Sequence, residues 1–183
     1  MPDEPDGDLL RRFVDGDAEA FEALFRQFGP DVHRWILRIL RDASAADDAL
    51  VEAFWRAHRG RARFDPSRSF GAWMRRIATN VAQDHLRNTR RRRWTQRAGD
   101  RIPAPSGPDP GVAELVANAF ARLPPKLRVV ATLALIEERP YAEIADALNV
   151  PIGTVKSRAF RAIRFLRAEL ARTGLRSWWT TTS

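Results

Sequence analysis

Residues 141–158 read YAEIADALNVPIGTVKSR, and the rest of the chain is interpreted outward from this stretch. Apolar residues recur at helical spacing up to Leu148, which predicts a short helix over 141–148. Asn149 tolerates the left-handed backbone that a tight turn needs, and Pro151 is compatible with the start of a new helix. The stretch therefore predicts two helices joined by a short turn.

The second of these helices has two distinct faces when residues 152–170 are placed on a helical wheel. Its apolar face consists of Val155, Ala159, Ala162, Ile163, Leu166 and Leu170. Hydroxyl and cationic side chains occupy the other side and its flanks, at Thr154, Lys156, Ser157, Arg158, Arg161 and Arg164. A helix that contacts the major groove of DNA packs on its support with one side and presents hydrogen-bond donors with the other. A solvated basic face is the alternative, but the helix, turn and helix together favour DNA binding.

Almost every other segment also has helical periodicity, and none alternates with period two for long enough to predict a strand. The predicted helices lie near 47–58, 70–88, 112–122, 125–137 and 152–172. Ser44 is expected to cap the first of them, and Gly29-Pro30 to kink or break an earlier helix. The predicted fold class is all-α.

A proline-rich segment divides the chain. Residues 102–111 contain four prolines and two glycines, which preclude a continuous helix. We therefore predict two small helical domains, with an N-terminal domain over 1–88, a linker over 89–111, a C-terminal helix-turn-helix domain over 112–173 and a tail over 174–183.

The composition excludes several classes of protein. The 183 residues contain no cysteine, so disulfides, thiolate metal sites and cysteine nucleophiles are excluded. No apolar run reaches the roughly 18 to 20 residues that cross a bilayer. The acidic start lacks the basic and apolar blocks of a signal peptide. We expect a cytoplasmic protein with no membrane insertion, no metal and no cofactor.

Charge is unevenly distributed along the chain. The net charge is −7 over 1–55, +11 over 56–101 and +4 over 102–183. GC-rich codons are a sufficient cause for the preference of arginine over lysine, but they do not explain why the arginines cluster. This pattern indicates different surfaces for different partners.

In the predicted helix 47–58, a large aromatic residue lies among carboxylates. Trp55 falls off the apolar face, between Asp48 and Glu52. Such an arrangement is typical of a protein-interaction surface for a basic partner. A tryptophan packed against a neighbouring helix explains it equally well, so both interpretations stay open.

The predicted helix 70–88 has a polar face that follows a basic loop. This face gathers Arg76, Thr79, Asn80, Gln83 and Arg87, and the loop contributes Arg61, Arg63 and Phe64. Cations beside a stacking aromatic suit the backbone and unstacked bases of a single strand. For the helix alone, a solvated charged face is the simpler interpretation.

Taken together, these segments resemble the two-domain class of extracytoplasmic-function RNA polymerase sigma factors. Residues 71–87 are similar to that family's promoter-melting helix, and 141–158 to its second DNA-reading helix-turn-helix. Residues 123–126 resemble the usual opening of the latter domain, and 47–54 resemble the helix that binds core polymerase. The resemblance spans roughly residues 8–172.

This resemblance implies a subunit that binds core RNA polymerase, recognises promoter DNA through two elements and assists strand melting. Such a subunit would have no catalytic activity of its own, and an anti-sigma factor would regulate it. The polymerase contacts would come from Asp47, Asp48, Glu52, Phe54 and Trp55. The loop 61–69 would capture a flipped base, and Arg76, Asn80 and their neighbours would hold the melted minus-ten strand. Thr154, Lys156, Ser157, Arg158 and Arg161 would contact the minus-thirty-five element.

Two other functions are compatible with parts of the sequence. A stand-alone helix-turn-helix regulator would need a ligand pocket within residues 1–88. A nucleic-acid enzyme would need a metal or acid–base cluster, but His33, His58 and His85 lack short metal-ligand spacing.

The tail carries two tryptophans, Trp178 and Trp179, which would form an unusual apolar patch if exposed. One hypothesis is that the tail docks on the chain's own domains or on an inhibitor. The alternative is that the tail is disordered.

Overall fold

A computed structural model describes residues 4–97 and 111–173. Over these ranges it contains helices and no strand, which confirms the all-α prediction. The α-helices are α1 Gly7–Asp15, α2 Ala18–Leu40, α3 Ala43–Gly60, α4 Phe70–Arg97, α5 Val112–Arg122, α6 Pro125–Ala131, α7 Tyr141–Leu148 and α8 Ile152–Arg172. A 3₁₀ turn spans Arg61–Arg63, and a π-helical segment spans Thr132–Ile136. None of the helices described is both long and apolar enough to cross a membrane.

The N-terminal half packs α2, α3 and α4 against one another, with α1 across one end. Its centre is aromatic, and Phe13, Phe28 and Phe70 are almost completely buried. The Phe28 and Phe70 ring centroids are 5.0 Å apart, and those of Phe13 and Phe70 are 5.6 Å apart, both in edge-to-face geometry. Burial of these large rings stabilises the packing and fixes where α4 begins.

Three details of helices α2 to α4 differ from the sequence predictions. Asp42, rather than Ser44, caps α3, and its carboxylate accepts a hydrogen bond from the Ala45 backbone at 3.0 Å. Helix α2 runs unbroken through Pro30, because buried residues on both sides of it hold the helix against the core. Helix α4 continues past Asn88 to Arg97, since arginine is a good helix former.

The C-terminal half contains the predicted helix-turn-helix. Asn149 has φ 50° and ψ 52°, which confirms the left-handed turn, and Pro151 precedes the first residue of α8. The apolar face of α8 is buried as predicted, with Ile163 partly so. The single helix predicted over 125–137 is instead α6 followed by the π-helical segment.

The two halves pack together, in what we call the closed arrangement. Arg38 forms an ion pair with Glu137 at 3.0 Å, and Arg75 pairs with Glu143 at 3.5 Å. Apolar residues of α6 and α7 join the core of the N-terminal helices. The proline-rich segment 102–110 and the tail with Trp178 and Trp179 lie outside the residues that the structure describes.

Candidate nucleic-acid and protein-binding surfaces

The polar face of α8 is open to solvent. Lys156, Ser157, Arg161 and Arg164 are exposed, while Thr154 and Arg158 are half-buried at its edges. The Arg161 guanidinium donates to the Ser157 hydroxyl at 2.8 Å. The buried opposite face holds α8 on α6 and α7. This surface can present a row of donors to a DNA groove.

Sequence reasoning missed one exposed residue on this face. Phe160 is 62% exposed, and the Arg164 guanidinium lies 5.9 Å from its ring centroid. The signal was available, because positions 157, 160 and 164 follow helical spacing and place the aromatic ring within the polar row.

A basic cleft lies between α4 and the turn that follows α7. Its volume is about 800 Å³. The N-terminal side of the cleft is lined by Arg63, Phe64, Asp65, Arg68, Ser69, Ala72, Trp73 and Arg76, and the opposite side by Ala145, Asp146, Asn149, Val150 and Pro151. Three guanidiniums beside two aromatic rings match the chemistry that binds single-stranded nucleic acid. The side of the cleft opposite these groups is formed by α7 and its turn.

The residues predicted to hold a melted strand fall into two groups. Arg63, Asn80 and Arg87 are exposed, and Arg76 and Gln83 are half-buried. The others, Arg61, Phe64 and Thr79, are engaged with the protein itself.

Thr79 does not lie on the polar face of α4, and the structure corrects its placement. It is fully buried, its hydroxyl accepts a hydrogen bond from the Trp35 indole at 2.9 Å, and it donates to the Arg75 carbonyl at 2.7 Å. The simple helical wheel placed Thr79 beside Asn80 but could not include the indole of α2. In the closed arrangement its hydroxyl stabilises packing.

Phe64 and Arg61 are likewise turned inward. Phe64 is 5% exposed, with its ring 4.8 Å from Trp73, so it is not free to stack on a base in this arrangement. Arg61 donates to the His58 carbonyl at 3.0 Å, and its guanidinium packs under Gly16, where φ is +93° and a side chain would collide. Through these contacts with the protein, both side chains support the conformation of the loop 61–69.

The remaining part of the loop 61–69 is ordered by hydrogen bonds. The Asp65 carboxylate accepts from the Ser67 hydroxyl at 2.7 Å and from its backbone N–H at 3.0 Å, and these bonds hold the pKa of Asp65 below its usual value. At the end of the loop, the Glu4 carboxylate accepts from the Ser69 hydroxyl and from the Phe70 backbone at 3.0 Å. Sequence reasoning missed Glu4, because no local pattern relates it to residues 65 positions away.

The acidic surface of α3 exposes its tryptophan. Trp55 is 54% exposed and stacks on His58, with 5.9 Å between ring centroids, and Val51 beside it is 65% exposed. The ring is therefore not packed into the core, which removes the packed-tryptophan alternative, and the interaction with a partner stays a prediction. Asp47 and Asp48 are also exposed.

Other residues predicted for this surface have neighbours within the protein, and the Asp47 carboxylate lies 3.0 Å from His33 Nε2. Phe54 is 2% exposed, with its ring 4.7 Å from Phe25, so it supports the surface from below. The Glu52 carboxylate accepts from Arg56 at 2.7 Å, and Arg56 also donates to Asp84 at 2.9 Å. The hydrogen bond to Glu52 is the main cause of the raised pKa of Arg56.

Two families match the chain. Sigma-70 region 2 matches residues 24–92, and Sigma-70, region 4 matches residues 113–166. The first range covers most of the helices that carry the acidic surface and the cleft, and the second covers α7 and most of α8.

Similar proteins match over nearly their whole length. The RNA polymerase sigma factor CarQ of Myxococcus xanthus is 32% identical, with 86% of this chain and 93% of that protein covered. The ECF RNA polymerase sigma factor SigM of Mycobacterium tuberculosis is 36% identical, with 91% of this chain and 83% of that protein covered.

Two solved structures share the fold. CnrH in complex with the cytosolic domain of CnrY has a TM-score of 0.57 at 24% identity, and the alignment covers 91% of this chain and 97% of that one. The sigma factor RpoE in complex with the anti-sigma factor NepR from Bartonella quintana has a TM-score of 0.54 at 21% identity, covering 84% and 98%.

Proposed function

The chain belongs to the extracytoplasmic-function RNA polymerase sigma factors, and from this membership we propose that it binds core RNA polymerase, recognises promoter DNA through two elements and assists strand melting. The observation that carries the proposal is the exposed donor row of α8 at the end of a helix-turn-helix, in one chain with a second, basic and aromatic surface. The protein directs the polymerase and has no catalytic activity of its own.

Recognition of the upstream, minus-thirty-five element is proposed for α8. Arg161 and Ser157 lie on the exposed face and are joined by a hydrogen bond, so their donors sit side by side on the surface proposed to contact DNA. Lys156, Arg158 and Arg164 supply positive charge for phosphates, and Thr154 a hydroxyl near the start of the helix. Phosphate contacts of this kind make DNA binding fall steeply as salt rises.

Capture of the melted minus-ten strand is proposed for the basic cleft. The guanidiniums of Arg63 and Arg76 would follow the strand's phosphates, and Asn80 and Arg87 would extend this surface along α4. Because α7 and its turn line the opposite side of the cleft, we propose that the strand enters when the closed arrangement opens on that side. Promoter DNA and α7 would then compete for this surface.

Binding to core polymerase is proposed for the acidic surface of α3. The exposed Trp55 and Val51 form an apolar centre, and Asp47 and Asp48 lie on the same helix. An exposed aromatic anchor among carboxylates suits a basic helical partner, and the family resemblance identifies that partner as the clamp helices of the largest polymerase subunit.

An anti-sigma factor is proposed as the regulator. Both solved structures with the same fold contain a second protein, the cytosolic domain of CnrY in one and the anti-sigma factor NepR in the other. A bacterial cytoplasmic location follows from the proposed partners, polymerase and DNA.

Run-off transcription with purified core polymerase and genomic fragments tests the proposal. We expect promoter-specific transcripts only when this protein is added. Tight, sequence-specific DNA binding without polymerase, together with no transcripts, would instead identify a stand-alone helix-turn-helix regulator.

A further inference from the structure

We propose that Glu4 is a positioning residue for the loop 61–69, the segment that captures a base of the melted strand in the proposed function. This inference rests on that function and assigns a role in it to a residue that lies outside both family matches. The Glu4 carboxylate acts by fixing the end of the loop where α4 begins, and it makes no contact with DNA itself.

The contacts of Glu4 supply an acceptor to the first turn of α4 directly and support a second one through Ser69. A helix begins with four backbone N–H groups that have no partner within the helix. The Glu4 carboxylate accepts from the N–H of Phe70 at 3.0 Å and from the Ser69 hydroxyl, and the same Ser69 hydroxyl accepts from the N–H of Ala72 at 3.1 Å. A carboxylate here is also favoured by the helix dipole.

These bonds make the orientation of Ser69 depend on Glu4. A serine hydroxyl has one donor and two acceptor positions. Ser69 uses its donor on Glu4 while it accepts from Ala72, so the carboxylate sets the rotation of the hydroxyl that caps α4. Without the carboxylate, the Ser69 hydroxyl donor and the Phe70 N–H both lose their acceptor.

Most of the other contacts that order the loop begin in its first and middle parts, and a backbone hydrogen bond of 2.9 Å joins the Arg68 N–H to the Asp65 carbonyl. Arg61 bonds the His58 carbonyl, Phe64 is buried against Trp73, and Asp65 bonds Ser67. At Ser69 the loop is joined instead to the N-terminal segment, where Pro5 is buried next to Glu4. Loss of the Glu4 contacts therefore loosens the loop at Ser69, while its beginning and the buried Phe70 ring stay in place.

The released end matters because the cleft depends on it. Arg68 and Ser69 line the cleft from this end of the loop, and Trp73 and Arg76 line it from the first turns of α4. A loop ordered before the strand arrives does not lose conformational freedom on binding, so its affinity is higher. We expect Glu4 to raise the stability of the melted complex in this way.

The sign of the effect separates positioning from simple electrostatics. Glu4 is negative and lies next to a cleft lined by arginines. If its charge acted on DNA only through space, removing that charge would strengthen binding to a polyanion. A positioning role predicts the opposite, a weaker melted complex.

The test uses holoenzyme assembled from core polymerase and the full chain, on a promoter identified by run-off transcription with the wild-type protein. Glu4→Gln is compared with Glu19→Gln, which makes the same charge change at a side chain that is 90% exposed. Permanganate reactivity of the promoter thymines measures melting, and separate titrations measure affinity for core polymerase and for the unmelted promoter.

We expect Glu4→Gln to lower the equilibrium constant for melting by about tenfold, the effect of losing one hydrogen bond to a charged group. Affinity for core polymerase and for the unmelted promoter should stay within about twofold of wild type, and Glu19→Gln should match wild type throughout. Unchanged or increased melting in Glu4→Gln overturns the positioning role. Failure of the wild-type protein to yield any promoter-specific transcript overturns the proposed function and this inference with it.

A double-variant cycle checks the route through Ser69. If Glu4 acts through this hydroxyl, Ser69→Ala combined with Glu4→Gln should lower melting by less than the product of the two single effects. Fully independent effects would overturn the route through the Ser69 hydroxyl. Thermal unfolding of each variant verifies that the folded state is retained.

Discussion

The buried hydrogen bond between Thr79 and Trp35 gives a quantitative prediction for stability. Thr79→Val keeps the shape of the side chain but removes the hydroxyl, which leaves the Trp35 indole N–H without a partner. Trp35 is 4% exposed and Thr79 is 0% exposed, so water cannot replace the lost acceptor without local opening. An unsatisfied buried donor costs about 1–3 kcal/mol. The Arg75 carbonyl loses less, because it can still accept the helical hydrogen bond of α4.

Urea unfolding followed by circular dichroism at 222 nm measures this free energy without relying on tryptophan fluorescence, which the substitution would itself change. We expect Thr79→Val to lower the free energy of unfolding by about 2 kcal/mol. Thr89→Val is the matched control, because it makes the same chemical change on α4 at an exposed position. Thr79→Ser, which keeps the hydroxyl, should lose less.

A free energy of unfolding within about 0.3 kcal/mol of wild type for Thr79→Val would refute the buried hydrogen bond. Promoter melting by the same variant tests the earlier interpretation of Thr79 as a contact to DNA. If melting is unchanged under conditions where the variant is folded, the hydroxyl serves packing. A large loss of melting under those conditions would return Thr79 to the DNA-binding surface.

Four further predictions concern the surfaces and the closed arrangement. Trp55→Ala should lower the affinity for core polymerase, measured by fluorescence anisotropy of a labelled chain, at least tenfold and leave the free energy of unfolding unchanged. Unchanged affinity would remove Trp55 from the interface. Arg161→Ala should weaken binding to duplex DNA of the upstream element, whereas Asn80→Ala should impair melting in permanganate assays; identical effects of the two variants would contradict the division of roles. Glu143→Arg should repel Arg75 of α4, with which Glu143 forms an ion pair. We expect a larger radius of gyration in small-angle X-ray scattering, and an unchanged radius would show that this ion pair does not hold the two halves together. Backbone N–H groups at the start of α2 and a neighbouring guanidinium lower the pKa of Asp17 from its ordinary 3.8. The stability that Asp17 contributes is therefore complete above pH 3.8 and is lost as the pH falls through the lower folded-state pKa. The free energy of unfolding of Asp17→Asn should depend less on pH below about pH 4 than that of the wild type, and an equal dependence would contradict the assignment.

Local sequence patterns predicted the elements that depend on nearby residues. The turn at Asn149, the two faces of α8 and the position of α7 follow from helical periodicity and from backbone preferences within a few residues. Helix ends were less predictable. Helix α4 continued into an arginine-rich stretch whose sequence is compatible with either helix or linker, and α2 continued through Pro30 because the burial of its neighbours outweighs one missing hydrogen bond.

The sequence alone therefore determined the all-α class, the helix-turn-helix and the clustering of acidic and basic residues, because each of these is set by spacing along the chain. Tertiary structure decided which of the clustered residues are available. It exposed Trp55, buried Thr79 beneath the indole of α2, and brought Glu4 to the start of α4. Solvent exposure and hydrogen bonding between distant residues depend on how the helices pack, and a pattern within one helix carries no information about its neighbours.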